Sequence, residues 1–202
     1  GFINFTLAAD AKTAVVREVL AKGADFGRGA AKGVKVQVEF VSANPTGPLH
    51  VGHGRGAAYG ASLADVLAFA GYEVTREYYV NDAGRQMDIL ALSTWLRYLA
   101  FFGIEIPFPP NAYQGDYVID MGRDMRDAHQ DRFARVTVEQ ILAGTPGLPL
   151  ADRKDDESKQ QREEHLDALI ANAKKLLGDD YGWVHGFALN EQLGDGRDDL
   201  GE

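Results

Sequence analysis

The sequence predicts an α/β fold, with a parallel sheet opened by a strand–loop–helix–strand unit and followed by an all-helical second half. Three observations carry this. Val36, Val38, Phe40 and Val41 form one β-branched and aromatic run, and residues 72–80 (YEVTREYYV) form a second. Between them Ala57, Ala58, Ala61, Leu63, Ala64, Val66, Leu67 and Phe69 supply helix formers and an apolar face. Beyond Pro107, Pro109 and Pro110 no series of strands recurs. Two largely apolar strands joined through a helix call for a right-handed crossover and parallel pairing.

Taken in order, residues 1–7 (GFINFTL) alternate apolar with small or polar side chains and read as a short strand. Residues 9–22 read as a helix, and residues 23–33 (GADFGRGAAKG) as a glycine-rich linker at a domain boundary. Thirty-odd residues are too few to fold alone, so this opening reads as the tail of a domain. After the first strand, residues 42–48 (SANPTGP) break regular structure with two prolines and a glycine. A helix then starts at about Gly52 to Gly54 and stops at Gly71. Asn81, Asp82, Ala83 and Gly84 close the second strand and open a helix over residues 85–102. Further helices are expected over residues 117–133, 137–143 and 166–177, with a short last one over 187–193. The run from Asp152 to Glu164 reads as a solvated helix face or loop. Three segments result: residues 1–30, 31–106 and 107–202.

Composition bounds the function. The chain has 202 residues, 45% of them apolar and 25% charged, as in an ordinary globular protein. It has no apolar run of membrane-spanning length and no secretory leader pattern, so neither membrane nor export is expected. With no cysteine there is no disulfide and no thiolate zinc site, which suits the cytoplasm. A net charge of −9 gives no basic footprint for nucleic acid on this stretch. The opening Gly1 reads as the start of an excised piece.

The sharpest motif is His50-Val51-Gly52-His53. A strand feeding a loop and a helix N-terminus leaves free N–H groups and a positive dipole end, which together bind anions. Two imidazoles there can donate to phosphate oxygens and stabilise charge that builds on a phosphorus under attack. Gly52 removes a side chain where an adenine or ribose would approach. The plain alternative is a pair of surface histidines beside a helix cap. A metal site lacks a third ligand nearby. The glycines of residues 54–60 (GRGAAYG) are one residue too long for the dinucleotide pattern, although Asp82 could serve a ribose. Tyr72, Tyr78 and Tyr79 read as sheet packing rather than base stacking. Ligands of such sheets gather beyond the carboxyl ends of the strands, so residues 42–53 and Asn81-Asp82 should share one crevice.

SANPTGPLHVGHGRGAAYG, followed by REYYVNDAGRQ, resembles the N-terminal half of the catalytic core of the bacterial arginyl-tRNA synthetases, class I aminoacyl-tRNA synthetases. HVGH is similar to their HIGH signature. The resemblance runs the length of the chain: residues 2–7 resemble the end of the family's N-terminal tRNA-contacting domain, NAYQGDYVID its following linker, and REEHLDALIANAKKLLG its helical insertion. It implies half of a Rossmann-like parallel sheet followed by that insertion. It also implies that His50, Gly52, His53 and Gly54 lie against ATP, with His50 and His53 catalytic. Ser42 and Asn44 would hold the amino acid's backbone end, and Glu39 and Asp82 its guanidinium, which needs fixed carboxylate acceptors. The implied reaction is activation of L-arginine with ATP, carried as its Mg²⁺ complex, then transfer to tRNA(Arg). No resident metal is implied. No KMSKS-like sequence occurs, and Gly47 stands where some members carry a lysine. The expectation is therefore half an active site and no aminoacylation by this stretch alone. The competing reading is a non-catalytic nucleotide-binding module of Rossmann type.

Overall fold

The computed structural model describes residues 1–149 and 155–201. It divides into two compact units, Gly1–Val41 with Arg55–Tyr78 and Ser42–Gly54 with Tyr79–Glu202.

The first unit contains the sheet. Strand β1, Lys35–Glu39, pairs in parallel with β2, Glu73–Glu77, in the register Lys35↔Glu73 through Glu39↔Glu77. Val36, Val38 and Val74 turn to the half-buried face while Lys35, Gln37 and Glu39 stay in solvent. That is the period-two pattern of a strand covered on one face. Helix α2, Val51–Phe69, connects the strands, and its remaining turns from Arg55 onward belong to this unit. It comes very close to β1. A Cβ at Gly60 would lie 2.2 Å from the Phe40 ring, so only glycine lets the ring seat.

The glycine-rich stretch after the first helix, α1 (Ala11–Lys22), is no free linker. It makes one 3₁₀ turn at Gly23–Asp25, then Gly29 N–H donates to Phe69 O at 2.8 Å and Lys32 N–H to Gly71 O at 2.8 Å. Gly71 sits at φ +92° with the Ala30 carbonyl where a Cβ would stand, which explains why the turn between α2 and β2 carries glycine. The strand expected over residues 1–7 does not form. Phe2, Ile3, Phe5 and Leu7 are exposed, and alternation alone makes no strand without a neighbouring ladder to pair with.

The second unit is helical. Helix α3, Arg85–Ala100, is its axis: Leu90, Leu92, Trp95, Tyr98 and Leu99 are fully buried. A helix apolar nearly all round must be enclosed on every side. It packs against α4 (Asp116–His129), α6 (Asp156–Leu177) and α7 (Asp180–Leu200), and the one-turn α5 (Val138–Ile141) lies against α6. Its buried hydroxyl and indole groups find partners. Trp95 Nε1 donates to Phe133 O at 2.9 Å, and Tyr98 Oη donates to Gln130 O while accepting from Phe133 N–H at 3.1 Å. This clamp on residues 130–133, with Gln130 left-handed at φ 52°, ends α4 at His129 where sequence periodicity runs on to Phe133.

Two other boundaries move. The last helix is far longer than residues 187–193, because Gly182, Gly186, Gly194 and Gly196 conceal a continuous face of Val184, Ala188 and Gln192. Helix α6 begins well before residue 166. Asp155 caps it, accepting from Ser158 N–H at 2.9 Å, so the acidic run from Asp156 onward is a mostly solvated helix face. Residues 152–154 of that run lie outside the described residues.

The contact between Gly60 and Phe40 gives a first test. Gly60→Ala gains about 1 kcal/mol of helix propensity but crowds a ring that has no room, a penalty of about 1–3 kcal/mol. Urea unfolding should therefore show net destabilisation. Gly56→Ala, in open space on the same helix, should stabilise by about 0.5–1 kcal/mol. Equal shifts of the two midpoints would contradict the packing.

Candidate active site

Helix α2 starts with N–H groups that no preceding carbonyl can reach. His50 occupies its N-cap, and the His50 Nδ1 accepts from Gly52 N–H at 3.1 Å. In return His53 Nδ1 accepts from His50 N–H at 3.2 Å. This is the reciprocal logic of a capping box, built from two imidazoles. The rings stack, with centroids 3.7 Å apart and planes within 15°. Since both Nδ1 atoms accept, the neutral rings carry their protons on Nε2, leaving two N–H donors at the positive end of a helix.

Gly52 has a reason internal to the motif: a Cβ there would stand 2.9 Å from His50 Cε1. Glycine is needed for the His50 ring to fold back onto the backbone, irrespective of any ligand. Gly54 faces open space. Among the described residues no three His, Asp or Glu side chains gather as a metal cage.

The preceding loop is held from several directions within the second unit. Ser42 Oγ accepts from Tyr79 N–H at 3.1 Å. Asn44 Nδ2 donates to Gln86 Oε1 at 2.9 Å, and Asn44 Oδ1 accepts from Asn81 Nδ2 at 3.0 Å. The loop and the segment around Asn81 therefore do come together. Tyr117, from α4, donates its hydroxyl to Thr46 O at 2.7 Å and lays its ring against Gly47. Ala43 and Pro45 are buried. Val41 and Ser42 have φ of 68° and 41°, a left-handed pair that β-branched residues rarely adopt and that costs on the order of 1–3 kcal/mol per residue.

The start of α3 is pinned in turn. Arg85 reaches Asp167 at 2.7 Å and Glu163 at 2.5 Å on α6. Burial disfavours the Arg85 charge, but hydrogen bonds to Asp167 and Glu163 outweigh it and raise its pKa. Glu163 is held below the usual carboxylate range by the Asn111 amide first, then by Arg85, against the opposing effect of burial.

The two carboxylates expected at a guanidinium differ in setting. Asp82 is exposed in the second unit, with no hydrogen bond or ion pair to the described residues. Glu39 is the last residue of β1 in the first unit, in register with Glu77. Tyr117 and Gln86 are the participants that sequence reading missed, whereas Asn81 is one that it places at this crevice. The aromatic in the NAYQGDYVID stretch was the one visible cue.

Comparison with known proteins follows the same residues. The family model described as tRNA synthetases class I (R), catalytic domain, matches residues 15–98. The arginine–tRNA ligase of Azoarcus sp. (strain BH72) is 85% identical over 202 residues, all of this chain and 34% of that protein. The likeness is to the arginyl-tRNA synthetases. The arginine–tRNA ligase of Dechloromonas aromatica (strain RCB) is 70% identical over 203 aligned residues, again all of this chain and 34% of that protein. A crystal structure of a Campylobacter jejuni protein described as an arginyl tRNA synthetase superposes with a TM-score of 0.57 at 28% identity, covering 84% of this chain and 34% of that one. The parallel strand pair and its crossover helix are thus part of the class I synthetase α/β fold. The chain spans about a third of the length of the curated arginine–tRNA ligases that it matches.

The tyrosine that anchors the loop can be tested by pH. Burial, with Tyr113 adding to it, pushes the Tyr117 hydroxyl up to about 12, against about 10 in an unfolded chain. The folded state therefore holds this proton more tightly, and its contribution is present below about pH 10 and lost as pH rises to about 12. Tyr117→Phe should unfold more easily by about 0.5–1.5 kcal/mol at neutral pH. It should also lose stability less steeply over the alkaline window than the wild type. Parallel stability–pH curves would contradict the assignment.

Proposed function

We propose that this chain supplies the signature half of an arginine–tRNA ligase site, and that the whole protein activates L-arginine with ATP and passes it to tRNA(Arg). The observation that carries this is the imidazole pair, whose Nδ1 atoms are occupied by the backbone and whose Nε2–H groups are left for a ligand. Both donors sit at a helix N-terminus, where an anion is favoured.

A carboxylate oxygen of arginine attacks the α-phosphorus, the bond from that phosphorus to the bridging oxygen of the β-phosphate breaks, and pyrophosphate leaves. His50 and His53 donate to phosphate oxygens whose charge grows in the transition state, and being already oriented they need no reorganisation as it forms. Gly52 and Gly54 leave the nucleotide room. Asn44 and Ser42 bind the amino acid's backbone end. Glu39, with Asp82 as the second candidate, supplies a carboxylate for the guanidinium, whose planar fork suits such an acceptor. Mg²⁺ enters on the phosphates of ATP, as part of the substrate complex. In the second step a hydroxyl of the terminal tRNA ribose attacks the arginyl carbonyl and AMP departs.

Residues 1–30 fit the tail of a tRNA-contacting domain, residues 31–106 the first half of the catalytic core, and residues 107–202 its helical insertion. No helix among the described residues is long and apolar enough to cross a membrane, and a cytoplasmic place agrees with a cysteine-free chain.

The test is arginine-dependent exchange of pyrophosphate into ATP by the full-length protein with tRNA present. His50→Asn and His53→Asn should each lower kcat by about 10²-fold, with the KM for arginine little changed. Variants retaining wild-type kcat would remove the imidazoles from the chemistry.

A further inference from the structure

We propose that Gln86 is a positioning residue that fixes the Asn44 amide to receive the ammonium and carboxylate of an amino acid; this rests on the function proposed above.

A primary amide offers two N–H donors and two acceptor lone pairs. In Asn44 one of each is already used: Nδ2 donates to Gln86 Oε1 at 2.9 Å, and Oδ1 accepts from Asn81 Nδ2 at 3.0 Å. Rotating the Asn44 amide by half a turn would set oxygen against the Gln86 oxygen and nitrogen against the Asn81 nitrogen. With Gln86 and Asn81 as they stand a flip of Asn44 alone is disfavoured, and one N–H and one lone pair remain in fixed directions. A group presenting one donor and one acceptor side by side matches the zwitterionic end of an amino acid, its carboxylate taking the N–H and its ammonium the lone pair.

Gln86 is suited to this task. It lies in the first turn of α3, between Arg85, which is tied to Asp167 and Glu163, and Met87, which is buried. Its backbone is therefore held from both sides while its own side chain remains exposed. The Asn44 backbone is held equally well, between the buried Ala43 and Pro45 and through Thr46 N–H donating to Asn44 O at 2.8 Å. Neither position is free to drift, so the amide–amide bond decides how the side chain points.

The experiment measures arginine-dependent pyrophosphate exchange by the full-length protein, with separate KM values for arginine and ATP. Gln86→Ala should raise the KM for arginine about five- to tenfold, the worth of one hydrogen bond, and leave the KM for ATP within about twofold. Gln86→Glu, which keeps an acceptor oxygen, should restore arginine affinity. Gln86→Met, of similar volume but without the acceptor, should behave as Gln86→Ala does. In an Asn44→Ala background Gln86→Ala should add nothing further, since its effect travels through Asn44. An unchanged KM for arginine, equal rises for both substrates, or additive effects in the double variant would each overturn the role while leaving the ligase reading intact. A parent protein that exchanges no pyrophosphate with arginine would overturn both.

Discussion

A helix must find partners for its first N–H groups, and here that requirement falls on the two side chains proposed above to meet ATP. His50 and His53 take the Val51–Phe69 helix's free donors on their Nδ1 atoms, stack on each other, and so fix which nitrogen of each ring keeps its proton. Capping is normally assigned to short oxygen-bearing side chains. An imidazole does the same with one nitrogen and retains a donor on the other. The three-residue spacing, the intervening glycine and the helix start follow from that single geometry, since a Cβ at Gly52 would displace the His50 ring.

The loop leading to this cap gains its definition from the helical unit. Tyr117 holds Thr46, Gln86 and Asn81 hold Asn44, and the Tyr79 amide holds Ser42. Loops carry binding residues well when a rigid scaffold positions them, and the scaffold here is the buried Arg85–Ala100 helix with the Arg85 ion pairs at its start. The left-handed backbone at Val41 and Ser42 is tolerated because these bonds over-determine the residues that follow. Helices remote in sequence therefore shape this loop as much as the signature tetrapeptide does.

Local patterns were legible in the sequence and tertiary choices were not. The strand pair, its parallel sense and the helix between them could be read from β-branched runs and alanine-rich spacing, because those signals lie within a few residues of one another. The histidine motif was legible for the same reason, whereas its cap was not, since that depends on how each ring turns back on the backbone. Residues 1–7 misled because alternation looks the same with or without a neighbouring strand. The Asp180–Leu200 helix was obscured by four glycines, whose low helix propensity is overridden by the burial of Val184 and Ala188. Tyr117 and Gln86 could not be found because their partners lie 71 and 42 residues away.

The tautomeric state of the two imidazoles tests the central geometry most directly. Proton–nitrogen correlation spectra of the protein with ¹⁵N-labelled histidine, recorded where both rings are neutral, distinguish a protonated Nε2 from a protonated Nδ1. The capped arrangement predicts that His50 and His53 both carry hydrogen on Nε2, and that His53→Ala loosens the preference at His50 by removing its stacking partner. Signals showing Nδ1–H on either ring, or a rapid mixture of the two forms in the wild type, would contradict it.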